Sequence, residues 1–195
     1  MDDSTDSAIA AKLRELRAEQ GLTIEALATA SGVSRAMISK IERGEASPTA
    51  ALLARLCSAL GFSLSTFFAD QTTAPSPLLP RREQPVWRDP ETGYVRRSVS
   101  PAGSPSRVDI VEVDFPSGAR VSLPPQPQRG ELQHVWLFEG ELEMTVGENT
   151  HRLSPGDCLF MPLGRGHIFY NPGKTPARYA VIFERQSIPY AKELP

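Results

Sequence analysis

The pattern of apolar and polar positions differs between the two parts of the chain. In the first third, apolar residues recur three or four positions apart, as at Ile9, Leu13 and Leu16, and this spacing predicts amphipathic helices. Capping residues and glycines divide the stretch into four helices, the third of which runs from Arg35 to Arg43. The residues that mark the helix boundaries are Gly21, Thr23, Gly32, Ser34, Gly44, Ser47 and Pro48.

From Arg107 onward, apolar residues instead alternate with polar ones, as at Val111, Val113 and Phe115. Alternation of this kind is typical of strands that bury one face. Turns rich in proline and glycine separate the alternating stretches at short intervals. The pattern predicts a compact antiparallel β domain, either a sandwich or a barrel.

Prolines and serines crowd the stretch between these two patterns, and they predict a linker. The predicted boundaries are 8–70 for the helical domain, 71–84 for the linker and 85–190 for the β domain. The β domain is expected to open with a hairpin in which 86–88 pairs with 94–96 around an Asp-Pro turn, with Trp87 packed on that domain. The predicted fold class is therefore α + β with two domains.

Composition narrows the class of protein without naming a function. Of 195 residues, 40% are hydrophobic and 23% are charged, which is typical of a folded globular chain. No apolar run approaches the ~20 residues of a membrane helix, and the acidic N-terminus is unlike a signal peptide, so we expect a cytoplasmic protein. Cys57 and Cys158 lie far apart, outside any metal-binding spacing, and we expect both to be reduced core residues.

The second and third helices form a candidate DNA-reading unit. A turn of about three residues joins them, so they must cross steeply, as the helices of a helix-turn-helix do. With Ile38 and Ile41 buried, the opposite face of the third helix can enter the major groove and meet base edges and phosphates. That face carries Arg35, Ala36, Ser39, Lys40 and Arg43. Each residue alone could belong to a solvated helix face, but their place on this helix favours DNA.

The same stretch resembles the XRE-type, phage-repressor-like helix-turn-helix. The segments that carry the resemblance are Gly21–Ala28, Ser31–Ser34, Ile38–Gly44 and Ser47–Thr49. The resemblance implies base contacts by Arg35, Ala36 and Lys40. Ser34 and Ser39 are implied to lie near phosphates. Together with Arg43 and Thr23, these residues are the candidate DNA contacts.

Two further positions take their meaning from this resemblance. Arg17 and Glu42 match a pair that forms an internal salt bridge in the family, so both are interpreted as structural. Ile24 stands where the family commonly has Gln, which leaves one of the family's DNA contacts without its usual residue. Seven positive residues against five negative ones between Ala8 and Ala69 make the domain weakly basic, although the whole chain has a net charge of -2.

The β domain carries one half of a metal-site motif. Gly156, Pro162, Gly164, His167 and Asn171 follow the spacing Gly-x5-Pro-x-Gly-x2-His-x3-Asn. This spacing resembles the second motif of the cupin superfamily. The resemblance implies a cupin-like antiparallel jelly-roll barrel, with the imidazole of the motif pointing inward.

The first cupin motif, which supplies two histidines and a glutamate, is incomplete here. Gln133 stands at the glutamate position, seven residues before Gly140, and residues 125–129 contain no histidine. His167 and a neutral amide do not provide the three or four ligands that a first-row metal needs, so we expect neither a metal nor another cofactor. His134 should point away from Gln133, although a register slip would leave a degenerate site formed by His134 and His167.

The β domain is also expected to contain a pocket that binds a small molecule. His167 and Gln133 are placed by motif spacing to point inward, beside apolar neighbours such as Leu142 and Met144. A few polar groups in an apolar cavity are what orient a small ligand, and these two offer a donor and an acceptor to an organic anion or a polar headgroup. The alternative for His167 is a core histidine retained from a metal-binding ancestor.

An XRE-type reader followed by a cupin resembles an architecture of bacterial transcription regulators in which the barrel dimerises and senses a small molecule. We therefore expect a sequence-specific regulator that is not an enzyme. Its expected partners are double-stranded operator DNA, a small-molecule effector and a second copy of the chain, with no membrane. Trp136 and Phe138 share a face with His134 and are expected to fill a sheet-on-sheet or dimer contact.

Two other functions stay open at this point. The first is a metal-dependent cupin enzyme on a DNA-binding arm, which stoichiometric iron, manganese or nickel in the purified protein would favour. The second is a barrel that serves only as a dimerisation scaffold, which a thermal-shift screen with small molecules would separate from a sensor. The sequence specifies neither the effector nor the operator, and it is compatible with both repression and activation.

Overall fold

The computed structural model describes residues 3–62, 64–68, 77–101, 106, 108–125 and 132–184. In this part of the chain a helical bundle is followed by two antiparallel sheets, so the predicted two-domain α + β fold is confirmed. The helices are α1 (Asp3–Glu19), α2 (Ile24–Ser31), α3 (Arg35–Glu42), α4 (Ala50–Ala59) and α5 (Leu64–Phe68), and a short 3-10 helix spans Arg81–Glu83.

Side-chain caps fix the starts of the two central helices where the sequence predicts them. Thr23 Oγ1 accepts a hydrogen bond from the backbone N–H of Ala26 at 3.0 Å and caps α2. Ser34 Oγ accepts from the N–H of Met37 at 3.3 Å and caps α3. Gly32 ends α2 with a φ of 65°, a conformation that favours glycine. The sharp turn between α2 and α3 follows from these three residues.

The helical region differs from the prediction near both ends. α1 begins at Asp3, before the predicted boundary at residue 8, because its first turn is polar and has no apolar residue to signal a helix. The fifth helix, α5, was not predicted, because five residues are too few for a helical period to be recognised.

The predicted start of α4 is wrong by two residues. Its N-cap is Thr49, whose Oγ1 accepts from the N–H of Leu52 at 3.3 Å, and not Ser47. The hydroxyl of Ser47 instead donates to Asp6 Oδ1 of α1 at 2.8 Å. Both hydroxyl residues suit an N-cap, so a tertiary hydrogen bond, which the local sequence does not reveal, decides between them.

The β domain contains ten strands in the described residues, and they form two sheets. The strands are β1 (Val86–Arg88), β2 (Val95–Ser98), β3 (Val108–Phe115), β4 (Arg120–Leu123), β5 (Leu132–Glu139), β6 (Leu142–Val146), β7 (Asn149–Leu153), β8 (Cys158–Pro162), β9 (His167–Tyr170) and β10 (Ala177–Glu184). One sheet has the order β1-β2-β3-β10-β5-β8 and the other β4-β9-β6-β7. Alternating side chains from the two sheets, such as Phe115, Leu137 and Phe169, meet in the core between them.

The predicted hairpin is present, and it lies at the junction of the domains. β1 pairs with β2 so that Trp87 is opposite Arg96. The buried Trp87 ring lies 5.3 Å from the ring of Phe68 in α5 and 5.6 Å from that of Tyr94. Trp87 therefore packs on the second domain, as predicted, and it also contacts α5 of the helical domain.

A buried carboxylate in the β1–β2 turn connects the two domains. Asp89 is 1% exposed, and its Oδ1 accepts from the N–H of Ala50, the first residue of α4, at 2.7 Å. Its Oδ2 accepts from the N–H of Thr92 at 2.8 Å. A negative group at a helix N-terminus is favoured by the helix dipole. The hairpin of one domain therefore stabilises a helix of the other.

Removing this carboxylate should destabilise the junction. Asp89→Ala leaves the N–H groups of Ala50 and Thr92 without their acceptors, so we expect a loss of about 1–3 kcal/mol in the free energy of unfolding. Chemical denaturation followed by circular dichroism measures this loss. The exposed Glu91 of the same turn provides the control, Glu91→Ala, and an equal effect of the two substitutions would contradict the assigned role of Asp89.

Two other sequence expectations are decided by the fold. Cys57 is buried as expected, but Cys158 is exposed, because β8 places it opposite Trp136 on the outer face of the sheet. Its predicted place in the core is wrong.

Residues 77–84 of the predicted linker include the 3-10 helix, whereas residues 71–76 lie outside the described residues. No helix among the described residues is long and apolar enough to cross a membrane.

Candidate functional site

The third helix of the bundle separates cleanly into a buried and an exposed face. Ile38 and Ile41 are buried in the helical core, which turns the opposite side of α3 outward. The predicted DNA-contacting residues lie on this side or beside it: Arg35, Ala36, Lys40 and Arg43 are exposed, Ser39 is half-buried, and Ser34 and Thr23 are exposed at the helix caps. Met37 is also exposed there and was not among the predicted contacts.

An ion pair between the partly buried Arg17 and the buried Glu42 fixes the orientation of α3 against α1. Arg17 Nε lies 2.6 Å from Glu42 Oε1, and its Nη2 lies 2.8 Å from Oε2, so the contact is bidentate. Arg17 Nη1 also donates to the carbonyl of Leu22 at 2.7 Å. Hydrogen bonding to Glu42 raises the pKa of the Arg17 guanidinium above its ordinary value. The structural pair implied by the family resemblance is therefore present.

Arg35 and Arg43, at the two ends of α3, form weak, exposed ion pairs. Arg35 Nε lies 2.8 Å from Glu25 Oε2, and both side chains are more than 60% exposed. Arg43 pairs with Glu45 at 2.6 Å and also donates to Ser39 Oγ. Exposed pairs of this kind contribute little to stability because solvent screens them. Phosphates or guanine bases can therefore replace the carboxylates at little cost.

The second candidate site is a cavity of about 50 Å³ between the two sheets of the β domain. Its walls come from both domains, since Leu64 of α5 lines it together with residues of six strands and their connections. The polar lining residues are Tyr94, Arg96, Gln133, His167 and Tyr179. The apolar ones are Leu64, Val113, Phe115, Val121, Leu123, Leu163, Phe169 and Val181.

Two of the predicted ligand-binding residues line this cavity. Gln133 is buried, and its amide donates to the thioether of Met161 at 3.4 Å. His167 is 2% exposed, with Nδ1 3.3 Å from the carbonyl oxygen of Arg165. Burial lowers the pKa of His167 below its ordinary value, so the ring is neutral near pH 7. His134 lies on the exposed outer face, as the strand alternation predicts.

The other two predicted ligand neighbours are placed differently. Leu142 and Met144 are fully buried on β6, but neither lines the cavity. The prediction that they flank the ligand is corrected, because no residue of β6 lines the cavity, whereas Leu64 of α5 does. Sequence alternation predicts which side chains are buried, but it does not predict which part of the core stays unfilled.

Sequence reasoning missed the cavity's charged residue. Arg96 is 6% exposed and faces inward from β2, where a charged residue of a short strand is ordinarily expected to face solvent. One signal was available, because Arg96 pairs with Trp87 in the predicted hairpin and opposite residues share a face. Tyr94 and Tyr179 were missed as well.

The polar residues of the cavity do not fit the first-row metal ion that the cupin resemblance implies. His167 contributes one imidazole and Gln133 a neutral amide, whereas Arg96 is a cation that repels a metal ion. The described residues contain no group of three or more His, Cys, Asp or Glu arranged to hold a metal. His134 is exposed on the outer face of its sheet, whereas His167 is buried in the cavity wall, which argues against the degenerate two-histidine site.

Comparison with known proteins adds independent observations. The family model described as Helix-turn-helix matches residues 13–67, and the model described as Cupin domain matches residues 111–183. The HTH-type transcriptional regulator SutR of Escherichia coli (strain K12) is 29% identical over 168 residues, which are 86% of this chain and 89% of that protein. The HTH-type transcriptional regulator PuuR of the same strain is 27% identical and covers 82% of this chain and 85% of its own.

A solved structure resembles the whole chain. The crystal structure of an HTH_3 family transcriptional regulator from Vibrio cholerae has a TM-score of 0.75 and 27% identity, and the match covers 96% of this chain and 100% of that chain. A helix-turn-helix bundle followed by a β domain with an internal cavity thus defines a two-domain transcriptional regulator. The chain therefore carries a Helix-turn-helix domain followed by a Cupin domain, as predicted, and the relatives that match most of its length are HTH-type transcriptional regulators.

Proposed function

We propose that this protein is a cytoplasmic, homodimeric regulator whose affinity for a specific operator changes when a small molecule binds in the cupin cavity. In this proposal α1–α5 read the DNA, and the domain that begins with the β1–β2 hairpin senses the ligand and dimerises. Arg35, Ala36 and Lys40 meet base edges, whereas Thr23, Ser34, Ser39 and Arg43 lie near the phosphate backbone.

The observation that carries the proposal is that one cavity has walls from both domains. Leu64 of α5 lines it, and the neighbouring Phe68 packs on Trp87 and Arg96 of the hairpin. A ligand in the cavity therefore contacts or displaces an element of the DNA-binding domain. A response also requires that the ligand prefer one arrangement of the domains, because a ligand shifts an equilibrium only by its differential affinity.

We further propose that the barrel performs no catalysis. The two curated relatives are transcriptional regulators by name, and the cavity combines a neutral amide, one imidazole and an arginine in place of a metal-binding set. The metal content of the purified protein tests this part of the proposal. Stoichiometric iron, manganese or nickel that survives dialysis would support the enzyme instead.

Selection of bound DNA from a random pool, repeated with and without candidate small molecules, tests the central proposal. The expected product is a roughly palindromic operator with half-sites about one helical turn apart. Its affinity should change when an effector is present. Recovery of unrelated sequences by the intact protein would overturn the assignment of α3 as a reader of bases.

Arg35→Ala is expected to weaken binding to the selected operator by about 1–3 kcal/mol per half-site and to relax specificity at one base pair. The thermal melting temperature should stay close to that of the parent, because the lost ion pair with Glu25 is exposed. Arg152→Ala, which removes an equally charged surface residue of β7, is the matched control. Equal operator affinities of the two variants would show that Arg35 contacts no base.

A further inference from the structure

Arg96 is a buried charged residue whose guanidinium is available to bind a ligand. Its side chain lies in the cavity wall and is 6% exposed, and its buried Nε has no hydrogen-bond partner. The guanidinium carbon lies 5.1 Å from the ring centroid of Phe68 in α5. Within the described residues, this cation–π contact is the interaction that holds the group, and it satisfies none of the five N–H donors.

The charges around Arg96 do not compensate its burial. Asp109 of β3 is a buried carboxylate that acts on Arg96 electrostatically but forms no hydrogen bond with it. Burial nevertheless lowers the pKa of Arg96 to about 10, so desolvation outweighs the attraction of its surroundings. Burial raises the pKa of both Tyr94 and Tyr179, so these neighbours stay neutral. A buried cation without a matching anion is costly, which makes an anionic ligand favourable here.

The size and walls of the cavity limit which anion fits. A volume of about 50 Å³ holds roughly four water molecules at about 10–15 Å³ each. A ligand of about four to six non-hydrogen atoms is therefore the right size. Most of the walls are apolar, as at Val113, Val121 and Phe169, so the ligand needs an apolar part as well as a charge.

We propose that the cupin cavity binds a short-chain monocarboxylate whose carboxylate pairs with Arg96. Arginine offers two parallel N–H groups to a carboxylate, and the neutral Gln133 and His167 can hydrogen-bond a hydroxyl or oxo substituent. This inference rests on the proposed function and names the chemical class of its effector. The carboxylate would approach the guanidinium where it lies on Phe68, so binding acts directly on α5.

Calorimetric titration of the full-length protein without DNA tests the site. The probes are propionate, pyruvate and lactate, with propionamide and propylamine as the neutral and cationic counterparts of propionate. Inorganic phosphate and sulfate test whether charge alone suffices. We expect at least one carboxylate to bind roughly ten- to hundredfold more tightly than the amide, the amine and the inorganic anions, as the loss of a charged hydrogen bond implies.

Arg96→Met provides a second readout, because it removes the charge and keeps a long apolar side chain. Carboxylate binding should weaken roughly ten- to hundredfold. Without ligand, the variant should melt at a higher temperature than the parent, because an uncompensated buried charge has been removed. A purely structural arginine would give a lower melting temperature instead. Arg97→Met, on the next residue of β2 and the opposite face of the sheet, is the control and should leave binding unchanged.

The outcomes separate this inference from the proposed function. Failure of all three carboxylates to bind at millimolar concentration, preference for the amide, amine or inorganic anion, or undiminished binding by Arg96→Met overturns the anion site. Binding through Arg96 that leaves operator affinity unchanged would support the site and overturn the proposed ligand response. A neutral or cationic effector that still changes the operator affinity of Arg96→Met would support the proposed ligand response and overturn the anion site.

Discussion

Arg17→Met should unfold the DNA-binding domain at temperatures where the parent is folded. The substitution leaves the Glu42 carboxylate, which is 5% exposed, without its bidentate partner. An uncompensated buried charge costs about 3–5 kcal/mol, a large part of the ~5–15 kcal/mol that stabilises a typical domain. Because Glu42 closes α3, we also expect the loss of specific DNA binding. Chemical denaturation followed by far-ultraviolet circular dichroism measures the loss of stability.

Two matched variants distinguish the buried pair from ion pairs in general. Arg152→Met removes an arginine that is 86% exposed and pairs with Glu143, so its expected cost is about 1 kcal/mol or less. The double variant Arg17→Met with Glu42→Leu should recover most of the lost stability, because apolar groups of similar volume can replace a buried ion pair. Equal costs for Arg17→Met and Arg152→Met would contradict the role assigned to the pair.

The parts of this fold that the sequence predicted are those governed by neighbours along the chain. Thr23 and Ser34 cap their helices through residues three positions away, and Gly32 supplies the positive φ that ends α2. The inward direction of Gln133 and the outward direction of His134 follow from the two-residue period of a strand. Local rules of this kind hold whatever the rest of the fold does.

The parts that the sequence did not predict depend on contacts between distant segments. Asp89 caps α4 from the other domain, and Ser47 turns to Asp6 instead of capping a helix. Arg96 faces the cavity because its strand pairs with the strand of Trp87, which packs on α5. Which buried residues line the cavity depends on how closely the two sheets and α5 approach one another. No local pattern encodes that spacing.

Two negative charges introduced on the outer face of the larger sheet should abolish the proposed dimer. Phe160 and Trp136 are 53% and 45% exposed there, beside the 39% exposed Ile110. The register aligns Ile110, Ile182, His134 and Phe160 across four adjacent strands, so the apolar side chains of this face lie in one row that only His134 interrupts. Contiguous apolar surface is uncommon on monomers and typical of interfaces, and a second copy of the chain supplies the second DNA-reading unit that a palindromic operator requires.

The variant Trp136→Glu with Phe160→Glu is therefore expected to be monomeric in sedimentation equilibrium and to stay folded, since both side chains are exposed, with a melting temperature lowered only by the loss of dimerisation. Its affinity for a two-half-site operator should fall by roughly 10²–10⁴-fold, because the second half-site contact is no longer intramolecular. Affinity for a single half-site should be unchanged. Leu78→Glu, at a 71% exposed apolar residue outside the strands, is the matched control and should stay dimeric. If the double variant remains dimeric, the dimer interface lies on another surface of the protein. If the parent protein binds a single half-site as tightly as the whole operator, DNA binding does not require a dimer.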